Sequence, residues 1–406
     1  MDESMNFRTN RRRVLQFGGV ALATALLPHI SRAQDGQVIN VGVVLPLSGP
    51  AAQFGINSKN GLDLAVDQLN AAGGIKALGG AKIKLIVADA TSTPTAAATA
   101  AQRLIAQNNV VVVIGAYVSS LTLAVSEVVE RRGIPLLTIS YADQLTEHGF
   151  KNIFRTSPKA SAIGRAQVDG ASEIAAAAGN KLQRAAIMYE DTAYGTSQSA
   201  GLRQACAAKG ISIVMDEAYP QGITDVTPLI NKLRASGAQV VFPVSYLNDT
   251  LQIIRSMHQQ KISIPVVGGA GGFILPEFAK ALGQFADGVL SVNTSNYDLD
   301  PERAKLYRER FDYPMVHDAI EHAALIEVLA QALEKAGSTK PESLRETLLS
   351  TRFEGGWVKA MPGSAIKFDK NGQNTVAVPI MIQWKAGEMV TVWPKEYAKT
   401  APVWSR

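Results

Sequence analysis

Val110-Val111-Val112-Val113, followed downstream by Ile134-Pro135, recurs as Val240-Val241-Phe242-Pro243 followed by Ile264-Pro265, an offset of 130 in both pairs. A short apolar run bounded by turn signals reads as a buried strand, and a preserved spacing between two such markers implies one unit used twice. The same alternation of apolar run and amphipathic stretch continues outward on both sides. One series is strand Val38–Leu45, helix Asn57–Ala71, strand Lys82–Ala88, helix Thr95–Gln107, strand Val110–Ile114, helix Ser119–Arg132 and strand Pro135–Thr138. A second begins after Asn152–Arg155 with strand Arg184–Met188, helix Gly195–Lys209, strand Ser212–Ala218, helix Thr227–Ser236, strand Gln239–Phe242, helix Asn248–Gln260 and strand Pro265–Val267. Strands alternating with helices build parallel sheets covered on both faces. The expected fold is therefore α/β, with two similar lobes, each a parallel sheet flanked by helices.

Later segments return toward the first lobe: strand Gly288–Val292, helices Pro301–Arg310 and Asp318–Lys335, and a further helix opened by Pro341. Val376–Trp384 and Met389–Trp393 pair as a hairpin assigned to the second lobe. The chain then crosses three times, near Arg155–Ser161, Ser291–Ser295 and Asn371–Thr375, which divides it into 34–156 plus 291–374 and 157–290 plus 375–406. Three crossings make a hinge rather than a loose tether.

The first 33 residues read as a targeting segment. Arg11-Arg12-Arg13 precede Val14-Leu15, an uncharged run continues to Leu27, and Ser31-Arg32-Ala33 places small residues before a cleavage point. The apolar run is shorter than the roughly 20 residues that span a bilayer. Its paired arginines resemble a twin-arginine export address, so the expected location is the periplasm. Without this segment the balance is 35 basic against 33 acidic residues, which gives no nucleic-acid surface. The single cysteine, Cys206, lies in a helical stretch and reads as a buried small hydrophobe.

In open α/β sheets ligands bind beyond the carboxyl ends of the strands. Those positions hold Pro46 to Gly55, Ala116 to Ser120, Ile139 to Asp143, Glu190 to Gly195, Ser245-Tyr246 and Gly268 to Gly272, rich in hydroxyls, aromatics and glycine. Ser119 and Ser120 open a helix, where they either cap it or help its N–H groups hold a carboxylate. No Gly-x-Ser-x-Gly elbow, phosphate loop, His-Glu-x-x-His or cysteine pair is present, so neither an enzyme nor a cofactor is expected. Asp318 and His322, four apart, read as a solvated helix face rather than as metal ligands.

The order of motifs is similar to the periplasmic leucine/isoleucine/valine-binding proteins of ABC importers, which have the type I periplasmic binding protein fold. The likeness rests on Val41 to Gly55, Asn70-Ala-Ala-Gly-Gly-Ile75, Ile114 to Ser120, Ile134 to Thr138 and Phe154-Arg155-Thr156. It implies capture of a small solute by hinge bending and delivery to a permease and ATPase complex. By position, Phe54 falls where the family often has an aromatic over the ligand, and Ser119 where a serine binds its carboxylate. Tyr117 and Val118 share the loop of Ser119. Ser140, Tyr141 and Ala142 occupy the next loop, where amino-acid binders place a threonine that is missing here. Tyr194 and Tyr246 match aromatics that close over the ligand from the second lobe. Ala270 stands where amino-acid binders carry a glutamate for the substrate ammonium. That departure points to a small carboxylate or amide without an α-ammonium, aromatic acids included. The alternative is an ordinary amino acid, with Asp143, Asp191 or Asp249 turned inward. A sensor subunit of the same fold is the rival to a transport component.

Overall fold

The computed structural model describes residues 37–404, and the expected targeting segment over 1–33 lies outside them. The first sheet is built from β1 (Val38–Leu45), α1 (Ala52–Ala71), β2 (Lys82–Asp89), α2 (Pro94–Asn108), β3 (Val112–Gly115), α3 (Ser119–Arg132), β4 (Leu136–Thr138) and β5 (Ile153–Arg155). Its strand order is β2-β1-β3-β4-β5 and every pairing is parallel. β3 and β4 are buried throughout, which explains their unbroken apolar runs. α2 starts where Thr93 accepts a hydrogen bond from the Ala96 N–H at 3.2 Å, with Pro94 in the first turn. α3 stops at Gly133, whose φ of 65° is the left-handed cap.

The second series runs α4 (Ala160–Ala177), β6 (Arg184–Glu190), α5 (Ala193–Ala208), β7 (Ser212–Tyr219), α6 (Thr227–Ala235), β8 (Val240–Val244), α7 (Leu247–Gln259), β9 (Val267–Gly268), α8 (Pro276–Leu282) and β10 (Leu290–Asn293). β7-β6-β8 are parallel, and a bridge between Val241 and Val266 leads on to the parallel pair β9 and β10. The remaining elements are α9 (Pro301–Phe311), α10 (His317–Ala336), α11 (Pro341–Ser350), β11 (Arg352–Glu354), β12 (Ala365–Lys367), β13 (Ile380–Lys385) and β14 (Glu388–Trp393). β13 and β14 add antiparallel to β10, so the second sheet is mixed rather than wholly parallel. The internal repeat is visible in one hydrogen bond. Val113 donates its N–H to Pro135 at 2.9 Å, and Val241 donates to Pro265 at 3.0 Å.

Three departures from the sequence reading have physical causes. α4 is a helix of 18 residues that composition did not reveal, because its glycines serve close packing, Gly164 on α5 and Gly170 on Met381 and Trp393. A side chain on Gly164 would sit 2.3 Å from the Gln198 carbonyl oxygen, and one on Gly201 would sit 2.0 Å from that of Ser161. β10 pairs inside the second sheet, so the change of lobe expected at 290/291 falls within this strand. Asp318 and His322 are fully buried, not solvated, because α10 packs across α1 at the close approach of Gly61 to the Ala319 backbone. Cys206 is buried in α5, and burial pushes its thiol up to about 11.

The first and last crossings are zipped together. Arg155 donates its N–H to Gly372, Asn374 donates its own to Arg155, and Asn374 Nδ2 reaches the Thr156 carbonyl at 2.8 Å. The middle crossing follows β10, where Asn296 Nδ2 bonds the Met389 carbonyl at 3.1 Å.

Candidate functional site

Five aromatic rings from the two lobes meet where the strand ends of both sheets face each other. Phe54, on the first turn of α1, stacks on Tyr117 with ring centres 4.7 Å apart and planes 17° from parallel. Tyr246, at the start of α7, meets Phe54 edge-on at 6.1 Å and Tyr194, on α5, at 5.4 Å. Tyr141, from the loop after β4, lies 6.0 Å from Tyr194. Such geometries are the favourable ones for ring pairs. Tyr117, Ser119, Ile139, Tyr141, Tyr194, Tyr246 and Gly271 enclose a cavity of about 10 Å³, room for the centre of one water. A wider hollow of about 250 Å³ opens at its edge, between Val118, Ser120 and Leu121 on one side and Tyr246, Leu247 and Asp249 on the other. A separate hollow of about 540 Å³ lies between β2 and α2 on the outer edge and takes no residue from the second lobe.

The loops on the first-lobe side are fixed by a hydroxyl network. Tyr117 adopts a left-handed backbone, φ 64°, which turns the chain sharply into α3. Ser140 Oγ donates to the Tyr117 carbonyl at 2.7 Å and sits 2.6 Å from Thr122 Oγ1. Thr122 Oγ1 in turn accepts from the Ala116 N–H at 3.0 Å. Ser140 is thus a brace behind the loop, not a wall of the cavity. Ser119 caps nothing: the residue before α3 is Val118, and Ser119 Oγ accepts from the Ala142 N–H at 3.1 Å. Its own N–H faces the Tyr246 hydroxyl across the cleft. Ala142 contributes backbone only.

On the second-lobe side, Glu190 is buried and its two oxygens accept from the N–H groups of Thr192 and Gly195, at 2.8 and 2.7 Å. That carboxylate organises the start of α5 and so positions Tyr194, whose hydroxyl donates to the Gly269 carbonyl. Ala270 is fully buried with φ 69°, and its N–H bonds Ser291 Oγ at 3.1 Å. The neighbouring Gly271, rather than Ala270, lines the cavity. Asp143 accepts from the Ser161 N–H at 3.0 Å, Asp249 from the Gly222 N–H at 3.2 Å, and Asp191 is exposed. Burial pushes the phenols of Tyr117, Tyr141, Tyr194 and Tyr246 well above the usual tyrosine value, so all four remain neutral hydroxyls.

Behind Tyr117 and Tyr141 lies the buried N-terminal half of α10, which sequence reasoning missed as part of the site. His317 Nε2 stands 3.3 Å from the Tyr117 hydroxyl and 2.7 Å from Asp318 Oδ1. Burial disfavours the His317 imidazolium, but Asp318 and Glu321 together raise its pKa. Burial pushes Glu321 up to about 7 and His322 down to about 4. Among the described residues no cluster of three or more His, Cys, Asp or Glu could hold a metal ion.

Two lobes with aligned strand ends, a three-segment hinge and a shared aromatic cleft agree with the family comparison. A profile described as periplasmic binding protein matches residues 38–388. The chain belongs to the periplasmic binding protein family. It is 31% identical over 394 residues to the Leu/Ile/Val-binding protein homolog 8 of Brucella melitensis, covering 94% of this chain and 96% of the relative. Among solved structures, the branched-chain amino acid transporter substrate binding protein LivJ of Streptococcus pneumoniae, in complex with isoleucine, superposes with a TM-score of 0.78. That likeness covers 91% of this chain and 100% of the other at 22% identity. A solute binding protein of an ABC transporter from R. palustris, in complex with benzoate, gives 0.74 over 87% of this chain and 95% of the other, also at 22%. These likenesses establish the type I periplasmic binding protein fold for this chain. No helix of the described residues is long and apolar enough to cross a membrane.

Proposed function

We propose that this chain is the substrate-binding component of an ABC importer of the branched-chain amino acid type, capturing a small carboxylate or amide solute between its lobes. Relatives are named Leu/Ile/Val-binding protein homologs, and one structural neighbour is in complex with benzoate. The observation that carries the solute class is the composition of the cavity wall. It offers neutral hydroxyls, aromatic faces and backbone, and no carboxylate among its lining residues. An α-ammonium enclosed there would lack a charged partner, a loss of about 3–5 kcal/mol. Neither Asp143 nor Asp249 lines this cavity; Asp143 accepts the Ser161 N–H and Asp249 accepts the Gly222 N–H through one oxygen, at the edge of the wider hollow. Phe54, Tyr117, Tyr141, Tyr194 and Tyr246 would sandwich the solute body, with Ser119 and the N-terminus of α3 holding its anionic end. Val118 would border the entrance, while Ser140, Ala142 and Ala270 shape the loops from behind.

The cavity of about 10 Å³ is far too small for an organic solute, so binding requires the lobes to part and re-close. We place the middle crossing after Asn293, where β10 leaves the second sheet. X-ray scattering with and without benzoate tests the closure, and mass spectrometry of the recovered solute tests the absence of turnover. A lower radius of gyration with unchanged benzoate supports the reading, and product formation defeats it. Export to the periplasm, with a permease and ATPase complex as partner, completes the proposal. Replacing Arg11 and Arg12 together with lysine should block accumulation outside the cytoplasm if the leader is of the twin-arginine type.

A further inference from the structure

Glu321, Thr294 and Tyr141 form a single line of hydrogen bonds from the buried face of α10 to the wall of the cleft. Thr294 Oγ1 bonds Glu321 Oε1 and lies 3.0 Å from the Tyr141 hydroxyl. All three residues are buried, Glu321 completely, and Glu321 Oε2 has no partner among the described residues. Tyr141 is itself part of the cavity lining.

Each of the two hydroxyls owns one hydrogen, so the direction of the line is decided at its buried end. With Glu321 ionised, Thr294 must give its hydrogen to Oε1. Tyr141 then gives its own to Thr294 and turns only lone pairs toward the cleft. With a proton on Oε1 the order reverses: the carboxyl donates to Thr294, Thr294 donates to Tyr141, and the tyrosine hydrogen is left for the solute. One proton taken from solvent by Glu321 therefore converts the cleft wall from acceptor to donor.

We propose that Glu321 is a specificity-determining residue of the cleft, acting through Thr294 to set whether Tyr141 offers a bound solute a hydrogen or a lone pair. The proposal rests on the reading of the cleft as the solute site. The groups facing Glu321 are His317 and Asp318 of its own helix, Thr294 of the middle crossing, and Tyr141 of the loop after β4. Tyr117, from the loop after β3, stands behind His317. The buried guanidinium of Arg155 is committed to the Tyr141, Ala142, Thr146 and Gln373 oxygens. Burial lifts the Glu321 carboxyl to about 7 while the charge of His317 and the Thr294 hydrogen bond hold it from rising further, so both directions are accessible near neutral pH.

Benzoate stays an anion and leucine keeps its ammonium between pH 5.5 and 8.5, so calorimetry of both probes over that range separates the two wall polarities. For benzoate the relay requires Kd to weaken as pH rises through 7, by up to about tenfold per pH unit for one linked proton. Leucine, if it binds, must tighten instead. Glu321→Gln, which cannot titrate, and Thr294→Val, which cuts the line, must each flatten the profile. Thr294→Val keeps the test open should Glu321→Gln not fold. Equal slopes in wild type and variants overturn the relay, whichever probe binds. Leucine binding alone, with the predicted slope, defeats the proposed solute class and leaves the relay standing. Binding of neither probe at any pH overturns both.

Discussion

Arg155 Nε donates to Gln373 Oε1 at 2.6 Å, joining the first crossing between the lobes to the last. The same guanidinium reaches the carbonyls of Tyr141 and Ala142 at 2.8 and 2.5 Å and Thr146 Oγ1 at 2.6 Å. Hinge and cleft loop are thus held by one buried cation. Burial lowers its pKa to about 10, which still leaves it charged at neutral pH. The loop of Tyr141 is thereby tied to the segment around Gln373.

Replacing Arg155 by leucine removes four hydrogen bonds from a charged donor, each worth about 1.5–3 kcal/mol, although the Tyr141 and Ala142 carbonyls keep the N–H groups of Ala160 and Leu145. The expected loss of stability is about 4 kcal/mol after partial rehydration, read as a lower urea midpoint. Gln373→Met, which removes one partner, should cost about 1 kcal/mol. Equal midpoints for Arg155→Leu and wild type would refute the assignment.

The α4–α5 contact makes a second prediction. A methyl on Gly201 would lie 2.0 Å from the Ser161 carbonyl oxygen, so Gly201→Ala must push two helices apart. Overpacking of this kind costs about 1–3 kcal/mol. Thermal unfolding should show a lower midpoint, despite the better helix propensity of alanine. A gain in stability would mean the helices are not so closely apposed.

Stability should also respond to pH through α10. Glu321 is raised, to about 7, so the stability it confers is complete below about pH 4.5 and is lost as pH rises through 7. His322 is depressed, to about 4, so its contribution is present above about pH 6.5 and is lost as pH falls through 4. The two oppose each other between about pH 4.5 and 6.5. Relative to wild type, Glu321→Gln should therefore gain stability from about pH 4.5 to about pH 7 and keep that gain above it. Chemical denaturation of both proteins at each pH checks the sign, and a constant difference would contradict it.

Most strands were legible because buried parallel strands are uniformly apolar, and Val38–Leu45 and Ser119–Arg132 were bounded to the residue. α4 was not, because glycines that serve a helix contact look like helix breakers in one dimension. At the site, position in the chain brought together Tyr117, Ser119, Tyr141, Tyr194 and Tyr246, all of which line the cavity. It did not separate these from Ser140 and Ala270, whose roles depend on which way a loop turns. Glu321 and His317 were missed because a charged residue on a helix reads as solvent-facing unless its whole environment is known. The one available signal was the stretch Ala323 to Leu333, apolar except at Glu327 and Gln331, a wider apolar surface than a surface helix carries.

The cleft should accept a small acid without an α-ammonium. Calorimetry at pH 6.5 with benzoate and benzoate-like acids beside leucine, isoleucine and valine tests it most directly. At least one acid should bind at micromolar Kd or tighter, and the branched-chain amino acids several hundred-fold more weakly, as about 3–5 kcal/mol of unpaired charge requires. Micromolar binding of leucine, isoleucine or valine, with no response to the acids, would contradict it.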